Sequence, residues 1–191
     1  MTTLSIIGNG NMGQAITAVA QRANTEVQVL GHSDGDVALT GDIVVLAVPH
    51  TAVGEIIETR ADQLAGKVIV DLTNPVDFST MDSLVIPADS SKAAEIAAAV
   101  PTAKVLKAFN TNFAGTLAEG TVGPLQTTAL IAGDDADAKQ SLTDVLTAGG
   151  LKVIDAGALV RARELEAIGF LQITLAAREQ FGWSEGFGVI N

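Results

Sequence analysis

The sequence predicts an α/β fold with a doubly wound, mostly parallel sheet, and three observations carry that expectation. Short apolar runs alternate with helical patterns through roughly the first hundred residues. Those runs are apolar almost throughout, as strands covered by helices on both faces must be. The first of them, Leu4-Ser5-Ile6-Ile7, leads directly into Gly8-Asn9-Gly10-Asn11-Met12-Gly13 and a helix-forming segment, Gln14 to Gln21. That strand–turn–helix order is of the Rossmann type. Gly8 permits the tight turn, Gly10 lets the backbone approach a pyrophosphate, and Gly13 lets helix and strand pack closely. The N–H groups and positive dipole end of the new helix then meet the anion.

The remaining elements follow in order. Glu26 to Leu30 reads as a second strand, and Asp42 to Val48 as a third, stopped by Pro49. Thr51 to Leu64 has helical spacing, with Val53, Ile56 and Ile57 on one side. Lys67 to Leu72 is a fourth strand, and Ser91 to Val100 an Ala-rich helix capped by Ser90 or Ser91. Lys104 to Phe109 is a fifth strand. Thr127 to Ala132, a helix from Asp135 to Ala148, and Lys152 to Asp155 add one more βαβ-like unit. Only about ten residues, Gly31 to Gly41, join the second and third strands, so a crossover helix there is very short or absent. Asn74 to Pro87 is a long segment with little pattern. It leaves the carboxyl end of a strand, where open α/β sheets bind ligands. A closing helix, Val160 to Phe181, has apolar residues on more than one side and is expected to be buried on two sides. Residues 1–191 read as one NAD(P)-binding domain, with 157–191 as its C-terminal helix and tail.

Composition narrows the functional class. The chain is 48% hydrophobic, enough for a sizeable core, and no run of about 20 apolar residues lacks charges or breakers. Met1-Thr2-Thr3 leads straight into a strand, so neither a signal peptide nor a membrane span is expected. The absence of cysteine excludes disulfides, thiolate catalysis and a Cys-ligated metal, and fits a cytoplasmic protein. A net charge of −11 disfavours nucleic acid and anionic membranes as partners.

At the end of the second strand, where NAD-preferring folds place an acidic residue on the ribose, this chain has Gly31-His32-Ser33. With no carboxylate to repel a 2′-phosphate, and with His32 and Ser33 able to donate to it, NADP(H) is favoured over NAD. Against this, no Arg stands nearby in sequence, and Asp34 and Asp36 follow closely. The reacting end is expected over the ends of later strands: Ala47-Val48-Pro49-His50, Thr73-Asn74-Pro75 and Ala108-Phe109-Asn110-Thr111. These segments lack a clear proton donor of the kind carbonyl reduction needs. The chain has no Tyr, His50 reads as a ribose or surface contact, and Lys107 lies inside a strand. Hydride exchange with a flavin-type ring asks less of the protein, which has only to hold two rings face to face.

Taken in order, the glycine motif, Ala47-Val48-Pro49, Asp71-Leu72-Thr73-Asn74-Pro75, Asp89 to Glu95, Lys107 to Thr111 and Asp155-Ala156-Gly157 resemble the NADPH-dependent coenzyme F420 reductase family. The cytoplasmic domain of the STEAP metalloreductases is similar. The resemblance implies a homodimeric, NADP-dependent oxidoreductase moving hydride between nicotinamide and the deazaflavin F420 or a flavin. It implies that Gly8, Asn9, Gly10, Asn11, Met12 and Gly13 hold pyrophosphate and that His32 and Ser33 hold the adenosine ribose or its phosphate. Ala47, Val48, Pro49, His50, Asn74, Pro75, Asn110 and Thr111 would shape the pocket for nicotinamide and acceptor. Two positions depart from the family pattern. His32-Ser33 replaces Ser-Arg or Arg-Arg, and Asn110 stands where archaeal deazaflavin enzymes have His. FMN, FAD and quinone-like acceptors stay open, as do two other readings, an imine or 2-hydroxy-acid reductase and a non-catalytic dinucleotide sensor. Trp183 and Phe187, in the Gly-rich tail, either close the pocket or anchor the terminus, and the anchor is the favoured reading.

Overall fold

A computed structural model describes residues 2–190. The main sheet has seven strands: β1 (Leu4–Ile7), β2 (Val27–Leu30), β3 (Ile43–Leu46), β4 (Val68–Asp71), β5 (Lys104–Lys107), β8 (Thr128–Gly133) and β9 (Lys152–Gly157). Two short strands, β6 (Thr121–Val122) and β7 (Leu125–Gln126), form a separate ribbon. The helices are α1 (Asn11–Arg22), α2 (Val53–Leu64), α3 (Lys92–Ala99), α4 (Ala114–Glu119), α5 (Ala136–Ala148) and α6 (Ala162–Ala177).

The sheet runs β2-β1-β3-β4-β5-β8-β9. The first five strands are parallel, with Leu4 opposite both Val27 and Ile43. β8 joins β5 antiparallel at Leu106–Gly133 and Lys107–Ala132, and β9 pairs parallel to β8. The expected terminal unit is therefore present, but it enters the sheet reversed. Alternation along the strands divides the core in two. Val45, Val70 and Leu106 pack against α1 and α5, while Val44, Ile69 and Val105 pack against α2 and α3.

The β2–β3 connection has no helix, as expected, and side chains hold it instead. Gly41 passes so close to β1 that a Cβ there would lie 2.2 Å from the Ser5 nitrogen, and its N–H donates to Ser5 Oγ at 2.8 Å. From α2, Arg60 donates to the carbonyls of Val37 (2.7 Å) and Asp34 (2.6 Å). α2 leaves helical geometry at this residue (φ −124°).

Ser91 caps α3, its hydroxyl accepting from the Ala94 N–H at 3.1 Å, and Asp135 caps α5 in the same way at 2.8 Å. The closing helix corrects an expectation. It is shorter than expected, and within the chain it buries one side only. That side carries Leu165 among small or polar residues such as Gly169, Glu166 and Gln172, while Val160 just before it and Ile168 and Leu171 on it are exposed. Among the described residues no helix is long and apolar enough to cross a membrane.

Candidate functional site

β1 delivers the chain into a turn that only glycine can follow at two points. Gly8 has φ +115°, and a Cβ there would meet the Ala47 carbonyl oxygen at 2.0 Å. A Cβ on Gly13 would meet the Gly8 oxygen at 2.0 Å, so this glycine allows α1 to seat on the turn. Gly10 has nothing within 4 Å of its missing Cβ; it is the N-cap of α1 and leaves that helix end without a side-chain cap or an acidic first-turn residue. Unsatisfied N–H groups and the helix dipole thus face an open surface, an arrangement suited to a phosphate anion.

Two clefts flank this turn and share Val48 and Pro49 in their walls. The smaller, about 390 Å³, is lined by Gly8, Asn9, Gly10, His32, Ala47 and Val48 among others. The larger, about 760 Å³, is lined by Asn11, Met12, Pro49, His50, Asn74 and Asn110 together with aromatic residues. Most of the expected site residues are therefore brought to one groove. Ser33 is exposed beside His32 but outside the lining; Pro75 is buried behind the wall and Thr111 half-buried, and neither lines either cleft.

Several lining residues had not been expected. Arg60 reaches the smaller cleft from α2, although no Arg is near in sequence, but its guanidinium is engaged by the two loop carbonyls. Glu55 lines the same cleft. Asp34 folds back so that Oδ2 accepts from the Gly31 N–H at 2.7 Å. In the larger cleft stand Phe78, Asn112, Phe113 and Trp183, beside Phe109, whose segment was expected at the reacting end. Trp183 packs on Phe113 with centroids 5.0 Å apart, so it forms cleft wall rather than serving only as an anchor. Phe187 packs on Phe181 and does not line the cleft. Phe109, fully buried, holds φ +65°, a strained conformation for a side chain of its size that turns the chain at the end of β5.

The wall behind Asn74 and Asn110 is a reciprocal hydrogen-bond set that leaves Asn110 Oδ1 buried without a partner among the described residues. Asn110 Nδ2 donates to Asn74 Oδ1 (2.9 Å) and to the Leu165 carbonyl (2.8 Å), and Asn74 Nδ2 donates to the Asn110 carbonyl (2.9 Å). Those donors fix which end of each amide faces which way. Gly169 makes the set accessible to α6, since a Cβ there would lie 2.2 Å from Asn74 Oδ1. A glycine inside a helical pattern was the available sequence signal for this contact.

Beneath the wall lies a fully buried charge cluster. Lys107 Nζ donates to Asp71 Oδ2 (2.7 Å), Glu166 Oε1 (2.8 Å) and the Thr73 carbonyl (2.6 Å). Glu166 also accepts from the Lys92 N–H at the start of α3 (2.9 Å). Burial pushes the Glu166 carboxyl above its ordinary value, and nearby Asp71 adds to that, while the Lys107 charge opposes both. Lys107, which the sequence places inside a strand, is thus paired with two carboxylates.

The fold and the groove define a Rossmann-like, NAD(P)-binding class of protein. A sequence profile for the family described as NADP oxidoreductase, coenzyme F420-dependent, matches residues 18–75. An F420-dependent NADP reductase from Methanothermobacter thermautotrophicus is 31% identical over 185 residues, spanning 92% of this chain and 79% of that one. The metalloreductase STEAP3 of Rattus norvegicus is 38% identical over 109 residues, 56% of this chain and 21% of that protein. A crystal structure from Arthrobacter sp. FB24, assigned provisionally as an F420-dependent NADP-reductase, superposes with a TM-score of 0.86 at 24% identity over 100% of both chains. The chain belongs to the F420-dependent NADP oxidoreductase family, whose redox partners are NADP and coenzyme F420.

Proposed function

We propose that this protein moves hydride between NADP(H), held along the glycine turn, and a deazaflavin or flavin ring in the larger cleft. The observation that carries the reading is the pairing of two clefts across Val48 and Pro49 at the uncapped start of α1. A dinucleotide lying across that turn would place adenosine beside His32 and nicotinamide beside His50, Asn74 and Asn110. The nicotinamide supplies two electrons and a proton's worth of hydrogen as hydride, and the acceptor ring takes a further proton from solvent. The protein's part is to hold two rings in contact and keep water from between them. No group has to be ionised on cue, which suits walls of neutral side chains.

NADP is the nicotinamide of choice in this reading, with NAD a weaker substitute. β2 ends without a carboxylate, and Asp34 is turned back onto the Gly31 N–H rather than toward a ribose phosphate. The whole chain acts as one domain in this proposal. It works as a homodimer joined through the exposed apolar side of α6, and the cysteine-free composition suits the cytoplasm.

The test is the loss of NADPH absorbance with F420, FMN, FAD or no acceptor, with NADH run in parallel. Turnover with a ring acceptor and NADPH is expected. Tight nucleotide binding with no oxidation by any of them would overturn the reading.

A further inference from the structure

We infer that Arg60 is a positioning residue for nucleotide choice. By holding the backbone of Asp34 it keeps that carboxylate off the ribose, and so favours NADP over NAD. The inference deepens the NADP preference proposed above and rests on a dinucleotide lying along the glycine turn.

The β2–β3 connection is held unevenly along its length. Its second half is anchored several times over. Gln28 Nε2 donates to the Ala38 carbonyl (2.9 Å), the Leu39 N–H to Gln63 Oε1 (2.8 Å) and the Gly41 N–H to Ser5 Oγ (2.8 Å). The first half, Gly31 to Val37, carries His32 and Ser33. Among the described residues, Arg60 is the one side chain from outside that hydrogen-bonds to it, through Nη1 to the Val37 carbonyl and Nη2 to the Asp34 carbonyl. Arg60 is buried and its printed partners are these neutral oxygens, so its charge is committed to the loop. Such charge-assisted bonds are about twice as strong as neutral ones, and the planar guanidinium fixes both carbonyls at once.

Asp34 is where that hold acts on the ligand. It is the first acidic residue after β2, the region from which NAD-preferring folds present a carboxylate to the ribose hydroxyls. With its carbonyl on Arg60, Asp34 closes a short turn. Its Oδ2 accepts from the Gly31 N–H at 2.7 Å, and its own N–H donates to the Gly31 carbonyl at 3.2 Å. Gly31, His32 and Gly35 line the smaller cleft, and Asp34, between them, does not. A carboxylate moved into that lining would accept from both ribose hydroxyls of NAD and repel the 2′-phosphate of NADP. Glu55 lines the same cleft from α2, outside the loop, and meets either nucleotide alike. The position of the Gly31–Val37 loop therefore sets the preference, and Arg60 sets the loop.

The experiment measures Kd for NADPH and for NADH by calorimetry, with no acceptor present. The parent should bind NADPH more tightly. Arg60→Met keeps the apolar stem and removes both donors, and it should lower the NADPH-over-NADH affinity ratio about tenfold, in part through tighter NADH binding. Adding Asp34→Asn to that variant should restore most of the ratio, because the freed side chain then carries no charge. Equal weakening of both nucleotides in Arg60→Met, or no recovery with Asp34→Asn, would overturn the inference.

Asp34→Asn alone gives a second arm that does not depend on how well Arg60→Met folds. With Arg60 in place the carboxylate is already withheld, so the ratio should move by less than about twofold. A rise of about tenfold would show that Asp34 faces the nucleotide in the parent, and the inference would fall. Because binding alone is read, absence of turnover with every acceptor would sink the hydride-transfer reading and leave this one to be decided by the ratios.

Discussion

A methyl group at Gly8 would meet the Ala47 oxygen at 2.0 Å, and one at Gly13 would meet the Gly8 oxygen at 2.0 Å, whereas Gly10 faces open space. The three glycines should therefore separate in experiment. Gly8→Ala and Gly13→Ala are expected to lose at least about 2 kcal/mol of stability, measured by urea unfolding. Gly10→Val should fold as the parent does and fail to bind NADPH in calorimetry; retained affinity would undo the pyrophosphate assignment. Lys107 gives the other residue-level prediction. Its side chain is buried among two carboxylates, so Lys107→Met leaves both without their cation and should cost about 3–5 kcal/mol. A variant as stable as the parent in denaturant would show that the cluster is not charged as drawn.

At the scale of elements, α6 and α3 meet the site through single contacts. Gly169→Ala would drive a Cβ into Asn74 Oδ1 and push α6 off the Asn74–Asn110 wall. Turnover should fall by about tenfold or more, with NADPH binding at the glycine turn less affected, and equal loss of both would point to general unfolding instead. Glu166 joins α6 to the start of α3, and burial holds its carboxyl above the ordinary Glu range. The native state therefore binds that proton more tightly than the unfolded chain does. Its contribution is favourable below the unfolded value and is lost as pH rises through the raised native one. Asp135, the cap of α5, has the opposite sign. Hydrogen bonding from Ala138 lowers its carboxyl, so its contribution is present above the ordinary Asp range and lost as pH falls. Melting temperature against pH for Glu166→Gln should lack the falling limb expected of the parent, and an unchanged profile would assign that limb elsewhere.

For the molecule as a whole, the outer side of α6 is an apolar face left exposed among the described residues. Leu171 is 51% and Ile168 38% exposed, with Val160 beside the helix at 66%. If two copies cover this face, sedimentation at micromolar concentration should give a dimer, and Ile168→Glu with Leu171→Glu a folded monomer. A monomeric parent protein would dismiss the interface.

The strand–turn–helix unit, the alternating strands as far as β5, the α3 cap to within Ser90 or Ser91, and the helix-free β2–β3 connection were all legible in the chain. These rest on local rules: apolar period, glycine at an obligatory positive φ, and a polar side chain three residues before the N–H it accepts from. Most of the dinucleotide groove was legible for the same reason, since it is built from the ends of adjacent strands. The reversed entry of β8, the reach of Arg60 from α2, the packing of Trp183 on Phe113 as cleft wall, the cap at Asp135, and the burial of Lys107 with Asp71 and Glu166 came from the folded molecule alone. Apart from that cap, each depends on residues far apart in the chain meeting across the sheet. The side α6 buries was misread because its apolar residues outnumber one stripe, while close approach to the site demanded glycine and polar groups there. Hydrophobic pattern says that a face will be covered; which neighbour covers it is set by packing.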